Sequence, residues 1–306
     1  MKDFFKEKNE CVCLIENMLN GNAKACKNKI ELFSEIDSTN TYLKNIASQN
    51  APHASVAIAE SQTNGRGRLG RSFYSPNKTG VYLSLLYKTS EQITKPALFT
   101  AASAVAVSRA VKKLCNIDLQ IKWVNDLYLA EQKVCGILCE GVPLECEGLK
   151  TIIIGIGVNI FTTSFPKEIE NKAGSLFNNS NCAGGAEYSG GAGQVENVEN
   201  VENAKNVAGD FNKIDENTDF RLVLAAEILN QLFECFEANN FENVLSEYKE
   251  KSFILGKNVE VISPNGNYFA KAVEISNDAE LIVQKQDGTK ATLNSGEISV
   301  KAQNLN

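Results

Sequence analysis

Two periods organise the apolar residues of this chain. A period of two runs through TIIIGIGVNI, where Ile152, Ile154, Ile156 and Val158 share one face of a strand and Gly155, Gly157 and Asn159 share the other. Two glycines on one face of a buried strand weaken it unless the space they leave is filled, either by a neighbouring backbone or by a ligand. Shorter strands are predicted at Leu32 to Ile36, Val56 to Glu60 and Gly80 to Lys88. In IDLQIKW, Leu119, Ile121 and Trp123 fall on one face and Gln120 and Lys122 on the other, so Lys122 either runs out to solvent or points into a polar site. The following NDLYLAEQKVCGILCEG reads as a hairpin turning at Ala130 to Gln132, with Cys135, Ile137 and Cys139 as packing residues on one side.

The helical period marks the other elements. Asp37 and Ser38 are good caps for a helix whose stripe is Tyr42, Leu43, Ile46 and Ala47. A second helix starts at Pro96 and carries Leu98, Ala101, Ala102 and Val105; a third follows Asp219 with Leu222 to Phe236; a short one spans Phe241 to Lys251. Residues 1–30 read as an N-terminal extension of short helical pieces broken near Asn20 and Gly21. A catalytic-sized domain would occupy 31–254, interrupted at 178–212 by a low-complexity insertion whose glycines and VENVENVEN repeat offer little apolar surface to offset the entropy of ordering. From Leu255 the pattern becomes five short strands separated by PNGN, SND, QDG and NSG, which makes 255–306 a small β-barrel or sandwich.

Candidate chemistry concentrates between Glu60 and Gly80. There Gly65, Gly67 and Gly70 alternate with Arg66, Arg68 and Arg71. Glycines let backbone N–H groups approach a ligand closely, and arginine forks match carboxylate or phosphate oxygens. Such a loop holds an anion, on a small molecule or on a nucleic-acid backbone. For Ser38, Thr39 and Asn40, helix capping alone is a sufficient account of the residue types.

Composition narrows the classes. With 306 residues, 43% hydrophobic and 22% charged, the chain is an ordinary globular protein with ample core. A net charge of -6 and a pI near 5.2 argue against a coat for nucleic acid, so the arginines are a local feature. Nine cysteines without a CxxC pair make neither a disulfide framework nor a zinc site, and point to a reducing cytoplasm. The single histidine, His53, follows a proline and is expected at the surface, which leaves imidazole-based triads without a candidate. No stretch is long and apolar enough to span a membrane, and MKDFFKEKNE does not read as a signal peptide.

Four stretches in this order, IDSTN at 36–40, GRGRLGR at 65–71, KWVNDL at 122–127 and GIGVN at 155–159, followed by LNSGEISVK in the terminal strands, resemble the biotin protein ligases. The resemblance covers about residues 31–177 and 219–301. It implies an α+β fold: a central mixed β-sheet flanked by helices, like the catalytic domain of class II aminoacyl-tRNA synthetases, with a small C-terminal barrel of the Src-homology-3 type. It implies an ATP-dependent enzyme that joins biotin to AMP and passes the acyl group to a lysine of the biotin carboxyl carrier protein of acetyl-CoA carboxylase, with Mg²⁺ accompanying ATP.

By the same resemblance, Ser38, Thr39, Asn40 and Gln62 match contacts to biotin's ring, whose ureido group needs hydrogen-bond partners. Arg66, Gly67 and Arg68 match the loop that closes over biotin's carboxylate and the phosphates, with Gly65, Arg71, Phe73 and Asn159 on the adenylate side. Lys122 and Arg68 match the catalytic charges, and Gly136, Gly155 and Gly157 the bare walls of the pocket; Asp126 is the candidate for Mg²⁺. Two substitutions depart from the usual pattern: Val124 stands where proline is common and Phe73 where some members have tryptophan. Only thirty-five residues precede IDSTN, fewer than the DNA-binding winged helix-turn-helix of the repressor members, so a ligase without DNA binding is expected, in the cytoplasm, with homodimerisation open. The rival readings are a lipoate or octanoate ligase and a non-enzymatic nucleic-acid-binding regulator.

Overall fold

The computed structural model describes residues 2–90, 96–146, 149–177, 219–237, 241–263, 266–294 and 297–300; the insertion expected at 178–212 lies outside them. The period-two segments pair into one seven-stranded sheet built from β1 (Ile30–Phe33), β2 (Ser55–Ala59), β3 (Gly80–Ser90), β4 (Gln120–Lys122), β5 (Asp126–Leu129), β6 (Gln132–Cys146) and β7 (Leu149–Asn159). Their spatial order is β1-β2-β3-β7-β6-β5-β4. Only β1 and β2 run parallel. Parallel neighbours need a crossover. After α1 (Lys2–Met18), α2 (Thr39–Ala47) supplies it.

Helices cover both faces of the sheet. On one face lie α3 (Pro96–Cys115), α4 (Phe220–Phe236) and α5 (Phe241–Lys251), packed on Ile152, Ile154, Ile156 and Val158 within the main core. On the other, Leu43 and Ala47 of α2 bury Ala57, Leu86 and Ile153. The alternation read in TIIIGIGVNI is therefore realised as core on one side and α2 on the other. A second sheet, β8 (Asn258–Ile262), β9 (Tyr268–Ile275), β10 (Leu281–Lys285), β11 (Lys290–Leu293) and β12 (Glu297–Val300), has the order β11-β10-β9-β8-β12. It is tied to the large sheet where the buried Trp123 Nε1–H donates to the carbonyl of Ala279 at 2.9 Å. Among the described residues no helix is long and apolar enough to cross a membrane.

Two local expectations change. The strand expected at Leu32 to Ile36 starts and ends earlier, because Ile30–Phe33 are the residues that align with Val56–Ala59; Ile36 makes only an isolated bridge to Gln62. His53 is not a plain surface residue. Its Nδ1 accepts the backbone N–H of Lys88 at 3.1 Å, and its ring lies edge-on to Tyr87 and Phe233, with centroids at 4.9 and 6.0 Å.

Burial, then the charges of Lys29 and Lys88, hold the His53 imidazole below its ordinary 6.5. The fold thus favours the neutral ring, and the unfolded chain binds the extra proton. The stabilisation is complete above the ordinary imidazole value and is lost as pH falls below it. We expect urea-unfolding stability to fall as pH drops below about 6.5 and that part of the slope to vanish in His53→Gln; with a single histidine, proton NMR follows the same titration directly.

Candidate active site

Strand register assembles the floor of a cleft on the α2 side of the sheet. Paired residues on adjacent strands project to the same face, so Tyr82, Gly157, Gly136, Asp126 and Lys122 form one row across β3, β7, β6, β5 and β4. The next row is Ser84, Gly155 and Leu138, and the one beyond it Leu86, Ile153 and Glu140. A one-residue slip of β7 would turn isoleucines into the cleft. The glycines are required by close approach: a Cβ on Gly155 would overlap the Asn40 amide, and one on Gly157 the Phe73 ring.

One wall is the start of α2. Ser38 caps it, its Oγ accepting the Thr41 N–H at 3.4 Å. The Thr39 N–H donates to Gln62 Oε1 at 2.9 Å, and Gln62 Nε2 donates to Ser75 Oγ at 2.8 Å. Ser84, fully buried, donates to Asn40 Oδ1 at 2.6 Å and lies 2.7 Å from Thr39 Oγ1. Capping therefore accounts for Ser38 alone; Thr39 and Asn40 turn inward.

The glycine and arginine loop forms the facing wall. Gly67 N–H donates to the Arg71 carbonyl at 2.7 Å and Phe73 N–H to the Gly65 carbonyl at 2.8 Å, which folds the loop back on itself. A Cβ on Gly65 would overlap the Phe73 carbonyl, so glycine is needed for that fold. At the tip Leu69 adopts φ 55°, a left-handed conformation uncommon for a branched residue, and is 71% exposed. Arg68 Nη1 donates to Asn125 Oδ1 at 3.1 Å. Arg66 makes two bonds of 3.0 Å to the carboxylate of Glu140.

Positive charge dominates the lining: Arg66, Arg68, Arg71, Lys122 and Lys133 against the single carboxylate of Asp126, whose Oδ1 stands 2.6 Å from Lys133 Nζ. Partial burial alone would raise the Glu140 carboxyl; hydrogen bonds from Lys44 and Asn40 and the charges of Arg66 and Lys44 outweigh it and hold Glu140 below the usual carboxylate range. The cavity measures about 140 Å³, small beside the ~300–1,000 Å³ of typical ligand sites, because the Phe73 ring packs onto Gly157 and Gly136 inside it. Burial pushes the Cys139 thiol up to about 11, partly offset by hydrogen bonding with Thr100 and Ser103, and pushes Cys135 up as well, so both are neutral packing residues.

The structure brings together Ser38, Thr39, Asn40, Gln62, Arg66, Gly67, Arg68, Arg71, Phe73, Lys122, Asp126, Gly136, Gly155 and Gly157 around one cavity. It leaves two expected residues outside its lining. Gly65 lies at the base of the loop, where its carbonyl accepts the Phe73 N–H, and Asn159, on the same strand face as the glycines, is buried under the chain that follows, donating to the Gly174 carbonyl at 3.0 Å. Sequence reasoning passed over Asn125, Lys133 and Ile298 in the lining, and Ser84 and Glu140 behind it. Glu140 carried a usable signal: a charged residue on the glycine face of an apolar strand.

The seven-stranded mixed sheet carries a cation-rich, glycine-floored cleft of the kind that binds an anionic ligand. Two family models match the chain: Biotin/lipoate A/B protein ligase family over residues 32–159 and Biotin protein ligase C terminal domain over 254–301. The chain carries both of these domains and is homologous to the biotin protein ligases. The bifunctional ligase/repressor BirA of Bacillus spizizenii is 27% identical over 264 residues, 83% of this chain and 69% of that protein. The biotin--[acetyl-CoA-carboxylase] ligase of Mycobacterium tuberculosis is 28% identical over 48% of this chain and 54% of its own length. Among solved structures, the biotin protein ligase from Aquifex aeolicus in complex with biotin and ATP superposes with a TM-score of 0.64 at 24% identity, over 90% of this chain and 99% of that one.

Because Asn40 is held by Ser84, Glu140 and the Leu138 carbonyl, it cannot swing aside for a new methyl group. We expect Gly155→Ala to cost about 1–3 kcal/mol of stability in urea unfolding.

Proposed function

We propose that this enzyme activates biotin as biotinyl-5′-adenylate and transfers the biotinyl group to a lysine of the biotin carboxyl carrier protein of acetyl-CoA carboxylase. The observation that carries the reading is the convergence of Arg66, Arg68, Arg71, Lys122 and Lys133 over a glycine floor, beside the inward-facing polar groups of Ser38, Thr39, Asn40 and Gln62. The names of the relatives support it: one is a structure holding biotin and ATP, another a biotin--[acetyl-CoA-carboxylase] ligase. In the first step a carboxylate oxygen of biotin attacks the α-phosphorus, an O–P bond forms, the bond to the β-phosphate oxygen breaks and pyrophosphate leaves. In the second the neutral amine of the acceptor lysine attacks the acyl carbon and AMP leaves.

Both steps gather negative charge in a small space. Fixed cations that need no reorganisation are the means to stabilise it. Lys122 sits in the same row as Gly136 and Gly157, and its Nζ lies 5.8 Å from the Tyr128 ring centroid, which directs the ammonium along the sheet surface. Arg68, set by Asn125, provides a second charge. The polar edge of biotin's ureido ring would find donors and acceptors along α2, and its apolar body the bare glycine floor. Mg²⁺ would arrive on the phosphates of ATP. Among the described residues no cluster of three or more His, Cys, Asp or Glu stands ready to cage a metal. Asp126, the carboxylate in the cavity lining, would be the residue to meet such an ion, in exchange for its present partner, the Lys133 ammonium at 2.6 Å.

Mass spectrometry of products formed from Mg²⁺ and ATP with biotin or lipoate offered separately tests the reading. Biotinyl-adenylate with pyrophosphate is the expected product; lipoyl-adenylate alone would transfer the chain to lipoate chemistry, and no adenylate would remove the enzymatic proposal. Lys122→Ala is expected to slow adenylate formation roughly 10²–10³-fold with little change in thermal stability, and an unaltered rate would take Lys122 out of the mechanism. Tryptic cleavage in the loop is expected to slow when biotin and ATP are both present.

A further inference from the structure

Outside the cavity lining, one carboxylate joins two of its residues, Arg66 and Asn40. Glu140 stands on β6 opposite Ile153, facing α2. Its side chain is 15% exposed. Oε1 accepts Arg66 Nη2 and Lys44 Nζ, each at 3.0 Å, while Oε2 accepts Arg66 Nη1 at 3.0 Å and Asn40 Nδ2 at 3.2 Å. Four bonds to three residues saturate the carboxylate. They come from the loop, from the second turn of α2 and from the residue whose amide sits over Gly155.

These bonds complete a belt of side chains. Ser75 and Gln62 lie at the two feet of the loop, and Gln62 Oε1 accepts Thr39 N–H. Thr39 and Asn40 share Ser84 as a neighbour, Asn40 reaches Glu140, and Glu140 returns to Arg66 in the loop itself. The loop is thereby fastened at its feet and near its tip to one network. A fork-on-fork arginine and carboxylate pair fixes orientation as well as distance.

We infer that Glu140 is a positioning residue: it favours the closed loop through Arg66 and at the same time fixes the Asn40 amide over the glycine floor, which lessens the ordering left for the ligand to bring about. This rests on the ligase reading for its catalytic consequence but not for its structural one. Preorganised groups lose less freedom on binding, so the clasp should act on affinity more than on the chemical step. Arg66 need not leave Glu140 for catalysis, because Arg68, Arg71, Lys122 and Lys133 remain directed to the cavity.

Trypsin reads the clasp without reference to activity, since Arg68 and Arg71 lie in the loop. In the intact chain without ligand, E140Q should speed cleavage after these residues about three- to fivefold, the weight of a partly exposed bidentate pair. In steady-state adenylation, it should raise the KM for biotin by a similar factor with kcat held within about twofold. R66Q, which leaves β6 untouched, should reproduce the faster cleavage, and the double variant should cleave no faster than either single one. Unchanged cleavage in folded E140Q or in R66Q, additive effects in the double variant, or a loss of kcat without a change in KM would each overturn the proposal. If the wild-type chain forms no biotinyl-adenylate the ligase reading fails, and the cleavage comparison still decides the clasp.

Discussion

The site depends on the parity of β7. From Ile152 to Val158 its even-numbered residues are Ile152, Ile154, Ile156 and Val158, all buried beneath the helices, and this leaves Gly155 and Gly157 to face the cleft. Hydrophobic burial sets the register, because exposing four branched side chains would cost several times the ~1.5–3 kcal/mol of burying each. The pairing with β3 and β6 then carries Ser84, Gly136 and Glu140 to the same face without any further instruction. Stability on one side of a strand thus determines chemistry on the other.

What fills the glycine face is protein as well as space for ligand. The Asn40 amide covers Gly155 and the Phe73 ring covers Gly157, so the two ends of the cleft are closed by side chains from α2 and from the loop. These differ in freedom. Asn40 is held by three hydrogen-bond partners, whereas the apolar Phe73 ring is held by packing, with the Tyr82 ring edge-on at a centroid distance of 6.4 Å. A ligand entering along the floor therefore meets a rigid polar end and an apolar end able to give way, an arrangement suited to a molecule with a hydrogen-bonding head and a reactive anionic tail.

Much of this was legible before any coordinates. Alternation in TIIIGIGVNI, the caps before α2 and the evenly spaced strands after Leu255 depend on local rules, and the structure contains each of them. The Gly–Arg loop announced anion chemistry through residue type alone. Register was not legible: nothing in the sequence aligns Gly136 with Gly157, or sets Lys133 beside Asp126 across a bulge in the hairpin. Asn159 shows the limit of parity, since it shares a face with the glycines but lies where the chain after β7 folds back over the sheet. His53 shows another, because its place after a proline in a loop points to the surface, whereas the Tyr87 and Phe233 rings, distant in sequence, pack against it.

The excess of cations in the cleft also explains why a clasp is needed. Five basic side chains around a cavity of about 140 Å³ repel one another, and a loop bearing three of them would tend to swing into solvent when no anion is bound. Glu140 offsets one of those charges from outside the lining, where it does not compete for the ligand's position. Asp126 offsets Lys133 from within the lining, at 2.6 Å. The chain's acidic total charge is thus compatible with an anion site: the Glu140 carboxylate behind Arg66 holds it in position, and the positive charge that exceeds the single carboxylate of the lining faces the cavity.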